Sequence, residues 1–437
     1  MICCQHEHYA PTATGDYGFE VDGARIKYGR GVLAELGEAA KALRIARAAV
    51  FIDPHLREFE FVSTALASLK DAKNDAAIYT EIAVEPTDVS FKNASAFAVD
   101  AKVDGFISIG GGSTIDTAKA ADLYSTHPAG FMEYVNAPIG GGKPVPGPLR
   151  PHIACPTTSG TGSECTGIAI FDYLEMNAKT GIRARELRPT LGIIDPDVTR
   201  TLPAMVVACS GFDVLSHALE SYTAMPYTRR ARVPKGVARP LSQGANPYSD
   251  VGCTSALSIL GEHIVRAVKD PNDDEARERM MFAAMLAGIA FGNAGCHLPH
   301  GMSYAVSGLV KSFRAPGYDP KEAMVPHGMS VILNAPSVFR FTAPACPERH
   351  IEAAEKLGAD VRGAGPSDAG EVISGRIIEL MQATGIPNGL RAVGYDQDDL
   401  EALTDGSFPQ KGLINNAPLA TSREQLRDLY DNALTYW

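Results

Sequence analysis

The stretch VDGFISIGGGSTIDTAKAADLY (103–124) decides the fold class of this chain. An apolar run of strand length ends in Gly110, Gly111 and Gly112, and a helical pattern begins at Ser113. Glycines at this position leave backbone N–H groups bare at a helix N-terminus, where the helix dipole also favours an anion. The pattern predicts a strand and a turn that can receive a pyrophosphate. The spacing is not GxGxxG, and a plain strand–helix turn is an equally good explanation.

The segments on either side repeat this alternation of strand and helix. Buried strands are predicted at 46–53, 75–82, 103–113 and 152–158, with helices such as 61–70 and 113–124 between them. Alternation of this kind predicts a parallel sheet with helices on both faces. The fold class of the N-terminal part is therefore α/β, a Rossmann-like nucleotide-binding domain.

The pattern changes at 189–203, where prolines and Asp-Pro-like turns predict a domain boundary. Long helical patterns dominate beyond it, and a chain of 437 residues is long enough for two domains. We predict a disordered tail over 1–17, an α/β domain over 18–200 and an all-helical domain over 201–437.

Composition narrows the classes of partner and location. The net charge of −11 excludes a general attraction to nucleic acid or to an anionic membrane. The eight cysteines form no CxxC pair, which is typical of reduced thiols in a cytosolic protein. The N-terminus lacks the pattern of a signal peptide, and no apolar run reaches the length of a membrane span. These features predict a cytoplasmic protein with no membrane or nucleic-acid partner.

Two further features favour a nucleotide site. PTTSGTGSE (156–164) places a second run of glycines and small hydroxyl residues at the end of a predicted strand. Asp53 ends an early strand, where its carboxylate suits a ribose 2′-hydroxyl and would repel a 2′-phosphate. A helix N-cap is an equally good interpretation of Asp53 taken alone.

A metal site is indicated by one carboxylate and three histidines. Asp213 and His217 are four residues apart on a helical pattern, so both side chains project from one face. His300 and His327 follow in glycine-containing segments of similar style. This donor set suits Fe, Zn or Ni. Each histidine taken alone could equally be a core or capping residue.

Taken together and in this order, GGGSTIDTAKA, PTTSGTGSE, GFDVLSHALE, HGMSY and PHG resemble the motifs of the iron-containing alcohol dehydrogenase family. The resemblance runs from about residue 20 to the end, and YTAMPY, SQGANPYSD and AGIAFGNAG are similar to the hydroxyacid–oxoacid transhydrogenase branch. It implies a dehydroquinate synthase-like architecture, with an N-terminal α/β nucleotide domain and a C-terminal helical domain.

The resemblance also implies the site residues. The metal ligands, for Fe²⁺ or else Zn²⁺, fall on Asp213, His217, His300 and His327. The NAD contacts fall on Asp53, Gly111, Gly112, Ser113, Thr157, Thr158 and Lys179. Many family members have a proton-relaying histidine four residues after the first HG-motif ligand, where this chain has Tyr304. If the region is helical, His297 shares a face with His300 and Tyr304, so the relay is expected at His297, at Tyr304 or through solvent.

The activity that the resemblance implies is hydride transfer between a small hydroxy acid and an oxo acid through NAD, in a homo-oligomer. The implied pair is 4-hydroxybutyrate and 2-oxoglutarate, giving succinic semialdehyde and 2-hydroxyglutarate. The alternatives are a simple NAD-dependent iron alcohol dehydrogenase and an inactive nucleotide- and metal-binding protein. The basic segment 225–250, with Arg229, Arg230, Arg232, Lys235 and Arg239, is either a clamp for the substrate carboxylate or a solvated loop.

Overall fold

The computed structural model describes residues 7–176, 178–318 and 323–437. These residues divide into two units. The α/β unit is Gly23–Thr201, and the helical unit joins residues 7–22 to Leu202–Trp437. The predicted fold class is confirmed, because the first unit contains a parallel sheet and the second is built from helices.

The α/β unit contains eight strands in its described part. They are β1 (Ile26–Tyr28), β2 (Arg47–Ile52), β3 (Asp75–Tyr79), β4 (Gly105–Gly110), β5 (His152–Pro156), β6 (Ile168–Tyr173), β7 (Ala178–Arg183) and β8 (Leu191–Ile194). Six of them form one sheet in the order β1-β8-β5-β4-β2-β3, and every pair in it is parallel. Strands β4 and β5 are buried along their whole length, as expected for central strands covered on both faces.

The described residues of this unit also form five helices. They are α1 (Leu36–Ala42), α2 (Glu60–Asp71), α3 (Asp88–Ala101), α4 (Gly112–Thr126) and α5 (Phe131–Tyr134). The start of α3 is fixed by a capping box, in which Thr87 and Ser90 each accept the other's backbone N–H. Helix α4 begins directly after β4, so the glycine turn joins the end of a central strand to a helix N-terminus.

The strand order creates a switch point between β2 and β4. The chain leaves β2 for β3 at one edge of the sheet and returns to β4 on the other side of β2. Ligands of open parallel sheets bind beside such a point, at the carboxyl ends of the strands. Asp53 directly follows β2 and Gly111 directly follows β4, so both lie at this position.

The sequence pattern predicts β2 to β5 but misses four other strands. Strands β6 and β7 form a separate antiparallel hairpin. The four residues of β8 lie inside 189–203, where the turn signals of Pro189 and Pro196 outweigh a short apolar run. Three-residue β1 is too short to show any periodicity.

The helical unit has eleven helices in its described part. They are α6 (Ala204–Thr223), α7 (Pro247–Lys269), α8 (Asp274–Ala294), α9 (Leu298–Gly308), α10 (His327–Ile332), α11 (Ala335–Thr342), α12 (Pro347–Lys356), α13 (Ala369–Thr384), α14 (Leu400–Ser407), α15 (Lys411–Ile414) and α16 (Arg423–Asn432). Helix α6 is the centre of this unit. It is buried from Gly211 to Thr223 and packs against α7, α8, α9 and α10.

The N-terminal segment corrects the prediction of a disordered tail over 1–17. Residues 1–6 lie outside the described residues, but 7–17 are held against the helical unit. The Tyr9 hydroxyl donates to Asp250 Oδ2 at 2.6 Å, and Arg239 Nη2 donates to Asp16 Oδ1 at 2.9 Å. A polar, aperiodic composition excludes a regular helix or strand, but it does not exclude tertiary contacts of this kind.

A membrane-spanning helix was not expected from the sequence. Within the described residues, no single helix has both the length and the apolar composition of a span. The pair α8 and α9, bent by 104°, meets those two criteria only when its helices are taken together.

Candidate functional site

Helix α6 carries the first two candidate metal ligands. Asp213 and His217 are one turn apart, and both are buried. The His217 ring stacks on Phe291 of α8, with 3.9 Å between ring centroids and 6° between planes. Helical spacing thus directs both side chains to one face, and packing holds the imidazole in place.

The other two candidate ligands come from α9 and α10. His300 lies in the first turn of α9, and His327 is the first residue of α10. Helix α10 approaches α6 so closely that a Cβ built on Gly328 would lie 1.9 Å from the Cys209 carbonyl oxygen. Only glycine permits this contact, which brings His327 to α6.

The four side chains meet around one carboxylate oxygen. Asp213 Oδ1 lies 3.7 Å from His217 Nε2, 3.5 Å from His300 Nε2 and 3.6 Å from His327 Nε2. Two ligands bound at about 2.1 Å to one ion at a tetrahedral angle are about 3.4 Å apart. The spacing around Asp213 is therefore that of a divalent metal centre.

Unsatisfied polar atoms give an independent test of this fit. Within the described part of the chain, Asp213 Oδ1 and His300 Nε2 are buried and have no hydrogen-bond partner. An unpaired buried polar atom is costly, so native structures rarely keep one without a reason. A carboxylate oxygen and imidazole nitrogens are donors that Fe²⁺ and Zn²⁺ accept. The residues present fit a divalent ion.

The electrostatics favour the cation-binding forms of Asp213 and His217. Burial raises the pKa of Asp213, but the surrounding imidazoles outweigh it and hold that pKa well below its usual range. Burial lowers the pKa of His217 to about 4. At neutral pH the carboxyl is therefore ionised and the His217 imidazole is neutral, and both have lone pairs available to a metal. Burial lowers the pKa of His300, but Cys296 and Glu220 outweigh it and raise that pKa well above its usual value, so a metal ion must displace a proton from this ring.

Glu220 is a site residue that the sequence interpretation missed. It is fully buried on α6, three residues after His217, and its Oε1 lies 2.6 Å from His300 Nδ1. Its other oxygen accepts the backbone N–H of His297 at 2.7 Å. The signal was present in GFDVLSHALE, because Asp213, His217 and Glu220 are spaced by four and three residues on one helical face.

The structure gives His297 a capping role, and the proton relay considered for it stays a prediction. This residue is the N-cap of α9 rather than part of the helix. Its Nδ1 accepts the Leu298 N–H at 2.7 Å, and its Nε2 lies 3.1 Å from Thr223 Oγ1. Burial lowers the pKa of His297 to about 4, so the ring is neutral with both nitrogens engaged. His297 therefore caps α9.

Tyr304 and the basic segment have different environments. Tyr304 is half-buried on α9, one turn after His300, and the relay or substrate role considered for it stays a prediction. Arg232 Nε donates to the Gly15 carbonyl, and Arg239 pairs with Asp16. These two arginines hold the N-terminal segment, whereas Arg229 is exposed. The clamp hypothesis therefore has no support from Arg232 or Arg239.

The candidate nucleotide residues lie in the α/β unit. Thr157 N–H donates to the Gly110 carbonyl, which joins the turns after β4 and β5. A Cβ on Gly111 would lie 3.4 Å from the Thr158 side chain, and one on Gly112 would lie 2.6 Å from Thr161 Cγ2. The two turns therefore pack together at the carboxyl ends of adjacent strands, with the N-terminus of α4 between them.

Ser113, Lys179 and Asp53 surround these turns. Ser113 Oγ accepts the Glu85 N–H at 3.3 Å, and Lys179 Nζ lies 2.6 Å from Glu85 Oε2 and 2.8 Å from Asp172 Oδ1. Burial lowers the pKa of Lys179, but these carboxylates outweigh it and hold that pKa above its usual value.

Asp53 caps a short helical turn, since its Oδ1 accepts the His55 N–H at 2.9 Å. The capping interpretation is therefore correct for one oxygen. It leaves the ribose role open, because the position beside the switch point is also the one that a ribose would need.

Comparison with known proteins decides the family. Residues 23–196 match the family described as "Iron-containing alcohol dehydrogenase". Residues 240–434 match the one described as "Fe-containing alcohol dehydrogenase family, C-terminal". The mitochondrial hydroxyacid–oxoacid transhydrogenase of Xenopus tropicalis is 48% identical, over 99% of this chain and 95% of that protein. The human protein of the same name is 46% identical with the same coverage.

This chain belongs to the iron-containing alcohol dehydrogenase family. It is an oxidoreductase of the iron-type alcohol dehydrogenase class.

Solved structures of the family have the same architecture. 1,3-Propanediol oxidoreductase superposes with a TM-score of 0.83 at 26% identity, over 95% of this chain and 100% of that one. The iron-containing alcohol dehydrogenase from Thermococcus thioreducens gives 0.79 at 28% identity, over 95% and 99%. Sulfoacetaldehyde reductase from Bifidobacterium kashiwanohense, solved with NAD⁺, shares the fold with a TM-score of 0.76 at 23% identity, over 97% and 99%. Family membership supports a nicotinamide cofactor and a metal.

The predicted cytoplasmic location is wrong. The transhydrogenases of Xenopus tropicalis and human are mitochondrial proteins, which contradicts the cytoplasmic location predicted from the cysteines. The six cysteines in the described part of the chain are free. Free thiols indicate a reducing environment, but they do not distinguish one reducing compartment from another.

The packing at Gly112 leads to a testable prediction. In Gly112→Ala, the new Cβ must displace Thr161 or the start of α4. Overpacking of this kind costs about 1–3 kcal/mol. We expect NADH affinity to fall roughly ten- to a hundredfold in a fluorescence titration.

Gly375→Ala is the matched control, since a Cβ on that helical glycine meets nothing within 4 Å. Metal content should be unchanged in Gly112→Ala, because the candidate metal ligands belong to the other unit, and in Gly375→Ala, because the new Cβ meets nothing within 4 Å. Unaltered NADH binding by Gly112→Ala would show that the glycine turn is not the pyrophosphate site.

Proposed function

We propose that this chain is a hydroxyacid–oxoacid transhydrogenase, which moves a hydride from a small hydroxy acid to NAD⁺ and then to a 2-oxo acid. The substrates proposed are 4-hydroxybutyrate and 2-oxoglutarate, with succinic semialdehyde and 2-hydroxyglutarate as products. The relatives that bear this activity in their names support it, at 46–48% identity over 99% of the chain.

The convergence of three imidazoles on Asp213 Oδ1 is the observation that carries the proposal. A divalent ion bound there supplies Lewis acidity that lowers the pKa of an alcohol, and NAD⁺ supplies the hydride acceptor. Fe²⁺ is proposed and Zn²⁺ is the alternative, since both accept this donor set. Asp213, His217, His300 and His327 would each give one donor atom.

The nucleotide is proposed to bind in the α/β unit at the glycine turn. Backbone N–H groups of Gly112 and Ser113, at the N-terminus of the fifteen-residue helix α4, suit the pyrophosphate. Thr157 and Thr158 follow the adjacent strand and suit the same ligand. Lys179 would contribute a cation that its two carboxylate partners fix in place.

The proton released by the alcohol needs an acceptor other than His297. The His297 ring caps α9 and is fully buried. Solvent is therefore proposed as the acceptor, and Tyr304 is proposed to contact substrate from its position one turn after His300. A phenol keeps its proton near neutrality unless it is strongly perturbed, so Tyr304 is not proposed as the proton acceptor.

Deuterium transfer tests the proposed function. The protein is purified without oxygen and given 4-hydroxybutyrate deuterated at C4, unlabelled 2-oxoglutarate and an excess of unlabelled free NADH. A transhydrogenase that keeps its NADH bound delivers deuterium to C2 of 2-hydroxyglutarate without dilution by the free pool. Mass spectrometry of the product measures this label.

The other outcomes identify the alternatives. Deuterium that equilibrates with free NADH indicates a simple dehydrogenase, and no turnover by protein that contains metal and NAD indicates a binding protein. His217→Ala is the control, because removal of one ligand should lower bound metal and abolish turnover together.

A second prediction concerns Asp53. In Asp53→Ser, serine retains an N-cap oxygen for His55 N–H while the negative charge is lost. The preference for NAD over NADP should fall by about tenfold, since one like-charge contact near the protein surface is worth on the order of 1–4 kcal/mol. Steady-state kcat/KM with both cofactors measures the preference.

Asp75→Ser is the matched control, because Asp75 lies at the amino end of β3, whereas Asp53 follows the carboxyl end of the neighbouring strand β2. An unchanged preference in Asp53→Ser, with normal folding, would show that Asp53 only caps the turn.

A further inference from the structure

Glu220 is an ionisable side chain with no accessible surface in the helical unit. Its Oε1 lies 2.6 Å from His300 Nδ1. Its Oε2 accepts the backbone N–H of His297 at 2.7 Å and that of His300 at 3.4 Å. Both carboxylate oxygens therefore face N–H donors from the start of α9.

We propose that Glu220 is a positioning residue of the metal centre, which holds the His300 proton on Nδ1 and leaves the Nε2 lone pair facing Asp213. This inference rests on the metal site of the proposed function and not on its substrates. It assigns the tautomer of one ligand and names the residue that fixes it.

The tautomer follows from the direction of the hydrogen bonds. An ionised carboxylate only accepts, so the nitrogen of His300 at 2.6 Å from Glu220 must carry the proton. When a metal ion takes the place of the second ring proton, His300 keeps one proton, on Nδ1. Its Nε2, at 3.5 Å from Asp213 Oδ1, is then the nitrogen that can bind the ion. Metal-binding histidines commonly donate their second ring N–H to a carboxylate, which fixes the ring and raises its basicity.

The second oxygen of Glu220 fixes the position of the ligand as well as its tautomer. The N–H groups of the N-cap residue His297 and of His300 in the first turn of α9 have no partner within the helix. A carboxylate that accepts them ties the start of α9 to α6, the helix that carries Asp213 and His217. The same side chain therefore sets the ring orientation of His300 and the distance between the helices that supply the ligands.

The charges around Glu220 indicate that it helps to bind a cation and does not only cap a helix. In the described part of the chain, the only ion-pair partner of Glu220 is His300. Asp213 places a second buried carboxylate in the same cluster. Two buried negative charges are costly unless paired, and one divalent ion on His300 and Asp213 balances both. A cap alone would need only a neutral acceptor.

Glu220→Gln separates the two roles, because glutamine has nearly the same shape but one acceptor and one donor group. It cannot accept from His300 Nδ1 with one end and from His297 N–H with the other. If its amide N–H₂ faces His300, the imidazole proton must move to Nε2, where it competes with the metal. We expect metal affinity to fall about ten- to a hundredfold, as for other residues that orient a ligand.

The measurement is Zn²⁺ affinity, by competition with a chromophoric chelator, in the folded full-length chain. Glu352→Gln is the matched control, since Glu352 accepts the Tyr222 hydroxyl at 2.6 Å in the same unit. Weaker Zn²⁺ binding by Glu220→Gln alone supports the inference. Wild-type affinity in a folded Glu220→Gln protein overturns it, even if its thermal stability is reduced.

Wild-type protein provides a second measurement if the variant does not fold. In ¹⁵N-histidine spectra of the zinc-loaded chain, the His300 signal is expected to show a protonated Nδ1 and a metal-bound Nε2. A bare Nδ1 overturns the inference. If wild-type protein binds no Zn²⁺ through its histidines, the metal site of the proposed function fails as well, so the two failures are distinguishable.

Discussion

The helical unit depends on the contact of α9 and α10 with the buried face of α6. That face presents Asp213 and His217, and a carboxylate buried there is stable only beside groups that balance its charge. The imidazoles of His300 and His327 approach to 3.5 and 3.6 Å from Asp213 Oδ1. The packing of α9 and α10 against α6 and the charge balance of Asp213 Oδ1 therefore depend on the same contacts.

These contacts explain the residue types at positions 328 and 220. Glycine at position 328 is needed because the Cys209 carbonyl occupies the space of any Cβ there. Glu220 is buried where an apolar side chain would avoid the cost of desolvation, and its two oxygens bind the start of α9. Both features belong to the packing that keeps three imidazole nitrogens at 3.5–3.7 Å from Asp213 Oδ1.

The sequence predicts the fold better than it predicts the individual roles of residues. Strands β2 to β5 have clear apolar runs, whereas three-residue β1 has no detectable period and turn signals mask β8. Asp213 and His217 follow from helical spacing, but His300 and His327 meet them only through tertiary packing. Helix α9 begins at Leu298, so His297 lies at its N-cap and not on the helical face that the sequence pattern predicts.

X-ray absorption of the zinc-loaded chain tests the metal centre most directly. Asp213, His300 and His327 form one possible ligand group, and His217, Cys296 and His300 form another. A centre built around Asp213 predicts one ion per chain with nitrogen and oxygen ligands only, at about 2.0–2.2 Å. A sulfur ligand at about 2.3 Å would contradict it, because the ion would then be bound to Cys296 instead of Asp213.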